Sequence, residues 1–232
     1  MTSDRQTVKN PWRHVPAEPP FVLKCDAEKI NAYNSSTSSR EKYLHTDLIP
    51  IPFLGRKDAP VLLLNLNPGY HPKDYRRQTK PYFIQQVKKC MLHERMAYPL
   101  FFLDPAIEGK TDGAGRRWWK RILHQLLADY PERLLAQMLF CIEYFPYRSH
   151  SFRSTHGYVE SQQYGFSLVR KALKRRAMVI MMRSEKLWLE AVPELKHYRS
   201  LFLLASPRSP TLSKGNLKDG FRVLVATIEK NA

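Results

Sequence analysis

Three short stretches hold most of the residues whose types and spacing could do chemistry. In the first, Asn65-Leu66-Asn67-Pro68-Gly69-Tyr70-His71-Pro72 follows directly on the apolar run 61–64. A buried strand that ends in Asn-Pro-Gly leaves a carboxamide at the sheet edge while the chain turns away. That amide can both donate to and accept from a water or the edge of a base. Asn and Pro-Gly are also ordinary turn formers, so a purely structural role stays open. The second stretch, Ala205-Ser206-Pro207-Arg208-Ser209-Pro210-Thr211-Leu212-Ser213, is stiffened by two prolines and runs into Lys214. Its hydroxyls, amides and cations, set before a helix start, suit a phosphate. The third is Cys141-Ile142-Glu143-Tyr144-Phe145-Pro146-Tyr147-Arg148. Glu143 could meet hydrogen-bond donors on a ligand, or serve structurally as a buried partner of Arg148 or Arg183.

Other patterns are weaker. His71, His150 and His156 could move protons near neutral pH, although loop histidines are more often merely solvated. Cys25, Cys90 and Cys141 lie far apart in sequence and cannot complete a four-cysteine metal site. His93-Glu94-Arg95-Met96-Ala97 lacks the second His of a zinc-protease helix, and Asp112-Gly113-Ala114-Gly115 lacks the Lys of a phosphate loop. No metal and no cofactor is expected.

The elements that must position these residues come from hydrophobic periodicity. Runs 61–64, 138–142, 177–182 and 200–205 are short and continuously apolar, the pattern of buried parallel strands. Between them, Trp118, Trp119, Ile122, Leu123, Leu126, Leu127 and Tyr130 recur at helical spacing. So do Tyr164, Leu168, Val169, Ala172 and Leu173, and again Leu217, Phe221, Leu224, Val225 and Ile228. Ser213 stands where the last helix needs an N-cap. Strands alternating with helices predict an α/β three-layer sandwich around a parallel sheet of about four strands. Ligands of such sheets bind beyond the carboxyl ends of the strands, which selects loops 65–83, 143–157, 183–187 and 205–214. Nine of the 17 prolines precede residue 73, and 31–39 is polar and serine-rich. Residues 1–57 are therefore expected as an extended arm without long helices, wrapped on a domain spanning 58–232.

With 38 Lys and Arg against 21 Asp and Glu, the 232-residue chain carries +17 and a polyanionic partner is expected, nucleic acid before an anionic membrane. Aromatic residues make up 12%, too many for a disordered chain. No apolar run approaches a membrane span, and residues 1–20 have no apolar segment like that of a signal peptide. Sparse, odd cysteines suit a reducing compartment, so a cytoplasmic monomer is the expectation.

Taken together, the loops resemble the uracil-DNA glycosylase superfamily. There the first strand ends in Gly-x-Asp-Pro or an Asn-Pro-Gly motif, and the last strand ends in a His-Pro-Ser loop before a helix. Asn65-Leu66-Asn67-Pro68-Gly69 is similar to the mismatch-specific branch, and the likeness covers about 58–230. It implies DNA as partner, extrusion of a damaged or mismatched base, and hydrolysis of its N-glycosidic bond. On that likeness Asn67 orients the attacking water, while Tyr70, Tyr82 or Phe83 stacks on the base. Glu143 takes the place of the base-reading Asn, where an ionised carboxylate would favour cytosine or guanine amino groups. The closing-loop His is absent. Either Ser206 or Arg208 falls in its place, and Arg208 could stabilise the leaving base or grip a phosphate. Arg76, Arg77, Arg148, Ser206, Ser209, Ser213 and Lys214 flank the loops as nucleic-acid backbone contacts. The alternative is a non-catalytic DNA- or RNA-binding member of the same fold.

Overall fold

A computed structural model describes residues 8–107, 113–152 and 158–232. Five strands build one sheet: β1 (Phe53–Gly55), β2 (Val61–Asn65), β3 (Leu139–Glu143), β4 (Met178–Met181) and β5 (Leu201–Leu203), in the order β1-β3-β2-β4-β5. The last four run parallel, as the apolar runs predict. The fifth is a correction to the expected four: β1 pairs antiparallel with β3, Phe53 opposite Ile142 and Gly55 opposite Phe140. Every residue of β2, β3 and β4 is buried, so side chains pointing to either face are covered and the fold is α/β with helices on both sides.

Ten α-helices surround the sheet: α1 (Ala27–Ser36), α2 (Lys73–Gln78), α3 (Pro81–Leu92), α4 (Ala114–Ile122), α5 (Leu126–Asp129), α6 (Glu132–Met138), α7 (Gln162–Lys174), α8 (Glu185–Ala191), α9 (Lys214–Leu217) and α10 (Asp219–Asn231). These are the α-helices among the described residues. The periodic stretch 118–130 divides into α4 and α5 because the Ile122 carbonyl accepts Leu212 N–H at 2.8 Å instead of continuing the helical ladder. The last helix also divides, at Lys218, whose φ is +51°. Ser213 does occupy the N-cap position of α9, but its hydroxyl contacts Thr211 Oγ1 at 3.3 Å and caps nothing.

The segment before residue 58 is more than an extended arm. It supplies β1 and the ten-residue α1, which buries Ile30 and Tyr33. Prolines cluster outside α1, which contains none, so nothing local prevents this helix. Asp26, fully buried before α1, anchors the segment by accepting from Tyr147 Oη at 2.7 Å and Ser161 N at 3.0 Å. No helix among the described residues is long and apolar enough to cross a membrane.

Gly55 ends β1 with φ +101°, and a Cβ built there would lie 2.2 Å from the Leu139 carbonyl oxygen. Only glycine combines that dihedral with such close approach to β3. Gly55→Ala is expected to lower unfolding stability by about 2–3 kcal/mol, measured as a fall in the urea midpoint at unchanged m-value.

Candidate functional site

In the order β3-β2-β4-β5 the chain winds to one side of β2 and then to the other, and the crevice between diverging loops opens at the carboxyl ends of the strands. A cavity of about 250 Å³ lies there. Three of its polar residues come from neighbouring strand ends. Asn65 closes β2 and sits opposite Glu143, the last residue of β3. Arg183 follows β4, where its backbone N–H bonds the Leu64 carbonyl at 3.3 Å. The β2 end is further secured because the Asn65 carbonyl accepts Trp188 Nε1 at 2.8 Å and Tyr144 N at 3.1 Å.

Asn65 Nδ2 donates to Glu143 Oε1 at 3.1 Å. The other ends of this row carry no partner: Asn65 Oδ1, Glu143 Oε2 and Arg183 Nε are all buried without a hydrogen bond. Three such atoms lining one cavity are unusual, since buried polar groups are nearly always satisfied. Glu143 has no ion pair with Arg148 or Arg183 among the described residues. Burial pushes its carboxyl from 4.5 up to about 8, with the Asn65 bond and the Arg183 and Arg148 charges pulling it partly back. At pH 7 the acid form therefore predominates. In that form the carboxyl can donate as well as accept, unlike the ionised carboxylate expected to meet amino groups.

Asn67 also lines the cavity. Its Nδ2 donates to both the carbonyl and the hydroxyl oxygen of Ser149 at 3.2 Å, which leaves Oδ1 as the group with no partner among the described residues. Tyr70 forms part of the rim. The apolar wall, however, comes from Phe102, Trp118 and Trp119. The two indoles meet edge to face, 4.9 Å between ring centroids. Gly115 lets α4 come this close, because a Cβ there would stand 2.2 Å from the Phe102 ring. Trp119 belongs to the buried core and the half-buried Trp118 packs against it, so both lie on the one wide apolar face expected of this stretch.

Tyr82 and Phe83 do not line the cavity. The Tyr82 hydroxyl donates to Asp104 Oδ2 at 2.5 Å, and Phe83 is buried against Phe101 and Phe102. Arg77 and Arg148 are likewise not surface contacts for a nucleic-acid backbone. Both are buried and share Asp74: Arg77 Nη1 bonds Oδ1, and Arg148 Nη1 lies 3.4 Å from Oδ2. Arg148 Nε also donates to the Ile49 carbonyl at 3.1 Å. A carboxylate shared by two guanidiniums explains why both are drawn inside, where they help line the cavity. Arg76 is exposed.

The 205–213 loop stands apart. Asn216 organises it, its Oδ1 accepting Ser206 N at 2.7 Å while Nδ2 donates to the carbonyls of Ser209 and Thr211. Lys214 N–H bonds Gln125 Oε1 at 2.8 Å. The loop thus packs on the end of α4, and Ser206, Arg208, Ser209, Ser213 and Lys214 are all absent from the cavity lining. Arg208 is exposed. The expected convergence of Asn67, Glu143 and Arg208 is therefore met by the first two alone, and Arg183 is the guanidinium beside them. His71 is exposed at the rim and donates its N–H to Asp74 at 2.8 Å; His150 is exposed as well. His156 and Arg153 lie outside the described residues. Among those described, no group of His, Cys, Asp or Glu could hold a metal ion.

No protein-family model matches this chain, and no curated protein and no solved structure matches it.

The protonated Glu143 has a measurable consequence. Below pH 4.5 the carboxyl is neutral folded or unfolded; above that the unfolded chain ionises first and gains stability relative to the folded state. Wild-type stability is expected to fall, relative to Glu143→Gln, as pH rises from about 4.5 to about 8, and to fall no further above it. Parallel urea titrations of the two proteins across that interval measure it. A constant difference would mean that Glu143 is ionised throughout.

Proposed function

We propose that the protein is a DNA glycosylase-like nucleic-acid-binding protein that takes one extruded base into the cavity at the ends of β2, β3 and β4 and hydrolyses its N-glycosidic bond. The observation that carries this reading is the row of buried, unpartnered atoms on Glu143, Asn65 and Arg183, three residues that line one cavity with an aromatic wall. Glu143 and Arg183 stand at the ends of strands two spacings apart, about 9.6 Å, with Asn65 between them, so their side chains must converge to meet one base edge. With Glu143 in its acid form the row offers a donor, an acceptor and a donor in sequence. The complement is an imide, carbonyl–N–H–carbonyl, as in uracil, thymine or xanthine.

In this reading the Trp118–Trp119 wall stacks on the base and excludes water from one side of it. Asn67 Oδ1 orients the attacking water. An amide is too weakly basic to deprotonate it, so the rate gain comes from placement and from stabilising the departing base. Arg183, rather than Arg208, is the cation positioned to meet charge developing on that base. The excess of +17 and the exposed Arg76, close in the chain to the rim residues Tyr70 and His71, support contact with phosphates. The uracil-DNA glycosylase-like arrangement of the fold remains part of this proposal.

A second reading, nucleic-acid binding without cleavage, is favoured by one specific observation. The serines and the arginine of the closing loop lie outside the cavity, so that loop contributes nothing to bond breaking there. The two readings separate on duplex and single-stranded oligonucleotides carrying uracil, hypoxanthine, xanthine or mismatched thymine. Release of an imide-bearing base, scored as alkali-labile abasic sites, is expected, and Asn67→Ala should slow it about 100-fold. Salt-sensitive binding with no abasic sites on any substrate selects the second reading.

A further inference from the structure

Beside the base cavity lies a second, more open pocket of about 370 Å³, lined by Thr37, Ser38, Ser39, Arg40, Tyr43, His45 and Tyr70. Tyr70 lines both spaces. Its ring stacks on His45, centroids 3.6 Å apart and planes within 12°. Tyr43 meets the same imidazole edge-on at 5.7 Å, and Tyr75 closes the group from α2, its hydroxyl 3.1 Å from His45 Nδ1. Burial lowers the His45 pKa from 6.5, against the opposing charges of Asp47 and Asp74, so the ring is neutral at pH 7.

The backbone beneath the aromatic group is tied by hydrogen bonds from distant segments. Asn34 clamps Leu44 from both sides, its Oδ1 accepting Leu44 N and its Nδ2 donating to Leu44 O, each at 2.9 Å. His45 N–H bonds the Arg148 carbonyl at 2.9 Å, which ties the segment to the loop after β3. Yet Tyr43 and Tyr75 are 41% and 40% exposed, two of the few large hydrophobic side chains left in water. Packing therefore does not account for them. Arg40 lines the pocket, the exposed Arg76 follows Tyr75 directly in the chain, and Thr37, Ser38 and Ser39 add three small hydroxyls to the lining. Exposed rings beside cations and hydroxyls are what an unpaired strand requires, since each base offers a face to stack and each phosphate a charge to meet.

We propose that this aromatic pocket takes a second, unpaired nucleotide next to the one in the base cavity, so that single-stranded nucleic acid is the preferred polymer. The inference rests on the proposed function and goes further, because a duplex cannot present a neighbouring base to Tyr43 while keeping it paired. Tyr70 is the divider, one nucleotide lying on each side of it.

The test uses the full chain and fluorescence anisotropy with a labelled twelve-residue oligothymidylate, and the same strand annealed to its complement, at one salt concentration. Tighter binding of the single strand is expected. Tyr43→Ala should weaken it between about 5- and 150-fold, the span of base–aromatic stacking, and leave duplex binding unchanged. Tyr43→Phe keeps the ring and should bind as wild type. Because Tyr43 is exposed, neither substitution endangers the fold. Equal affinity for both polymers, or a Tyr43→Ala protein that binds the single strand as well as wild type, overturns the aromatic-pocket proposal alone. If neither polymer binds, the functional reading beneath it falls as well.

Discussion

The candidate site depends on the register between β2 and β3. With Leu63 opposite Cys141, Asn65 falls opposite Glu143 and their side chains meet at the mouth of the sheet. Side chains alternate faces along a strand, so a slip of one residue would send the carboxamide and the carboxyl to different sides. That register is secured from outside the pair. β1 zips along the free edge of β3, and the glycine at its end permits a backbone approach to Leu139 that a Cβ would block. Trp188 Nε1 fastens the last carbonyl of β2 from the helix after β4. The site is thus a by-product of strand pairing rather than of a flexible loop, which gives its polar row a fixed spacing.

Charge is arranged at two depths around this row. Asp74 neutralises half of the Arg77 and Arg148 pair, burial holds the Glu143 carboxyl well above the usual carboxylate range, and Arg183 has no carboxylate within ion-pair distance among the described residues. The cavity lining thus sets three guanidiniums, of Arg77, Arg148 and Arg183, against the two carboxyls of Asp74 and Glu143. Buried charges of this kind act on a ligand with little screening by salt, whereas the exposed cations around the rim are screened within about 10 Å. Recognition inside the cavity and attraction of the polymer outside it are consequently separable properties. Arg116 illustrates the same economy of surface charge: one of the basic clusters in the sequence is partly spent internally, since its guanidinium grips both oxygens of Glu132 at 2.9 Å.

The N-terminal segment links the sheet and the surface beside it. Asp26 anchors it to Tyr147 and Ser161, β1 fixes its end, and between them His45 is held against Tyr70, which lines the cavity. Because the segment contributes both a strand and an aromatic group next to Tyr70, it belongs to the site's architecture and not only to the core's insulation.

Much of this was legible before any coordinates. Continuous apolar runs located four strands to within a few residues, because a strand buried on both faces has no polar alternation to obscure it. The rule that ligands gather at strand carboxyl ends then singled out Asn67 and Glu143 as neighbours. Three things escaped. β1 is only three residues long and follows a proline, so its strand character exists only through pairing with β3. Arg77 and Arg148 looked like surface cations, since nothing in sequence shows that Asp74 draws both inside from separate segments. Arg208 seemed to share the site, but the side chain of Asn216 and the carbonyl of Ile122 hold its loop against α4. By itself, then, the sequence determined which segments are buried and where the sheet must end, because burial follows from local hydrophobic pattern. Which of many arginines enters the cavity, and whether a carboxyl there is charged, was decided only in the folded chain, where desolvation and partners from distant segments act together.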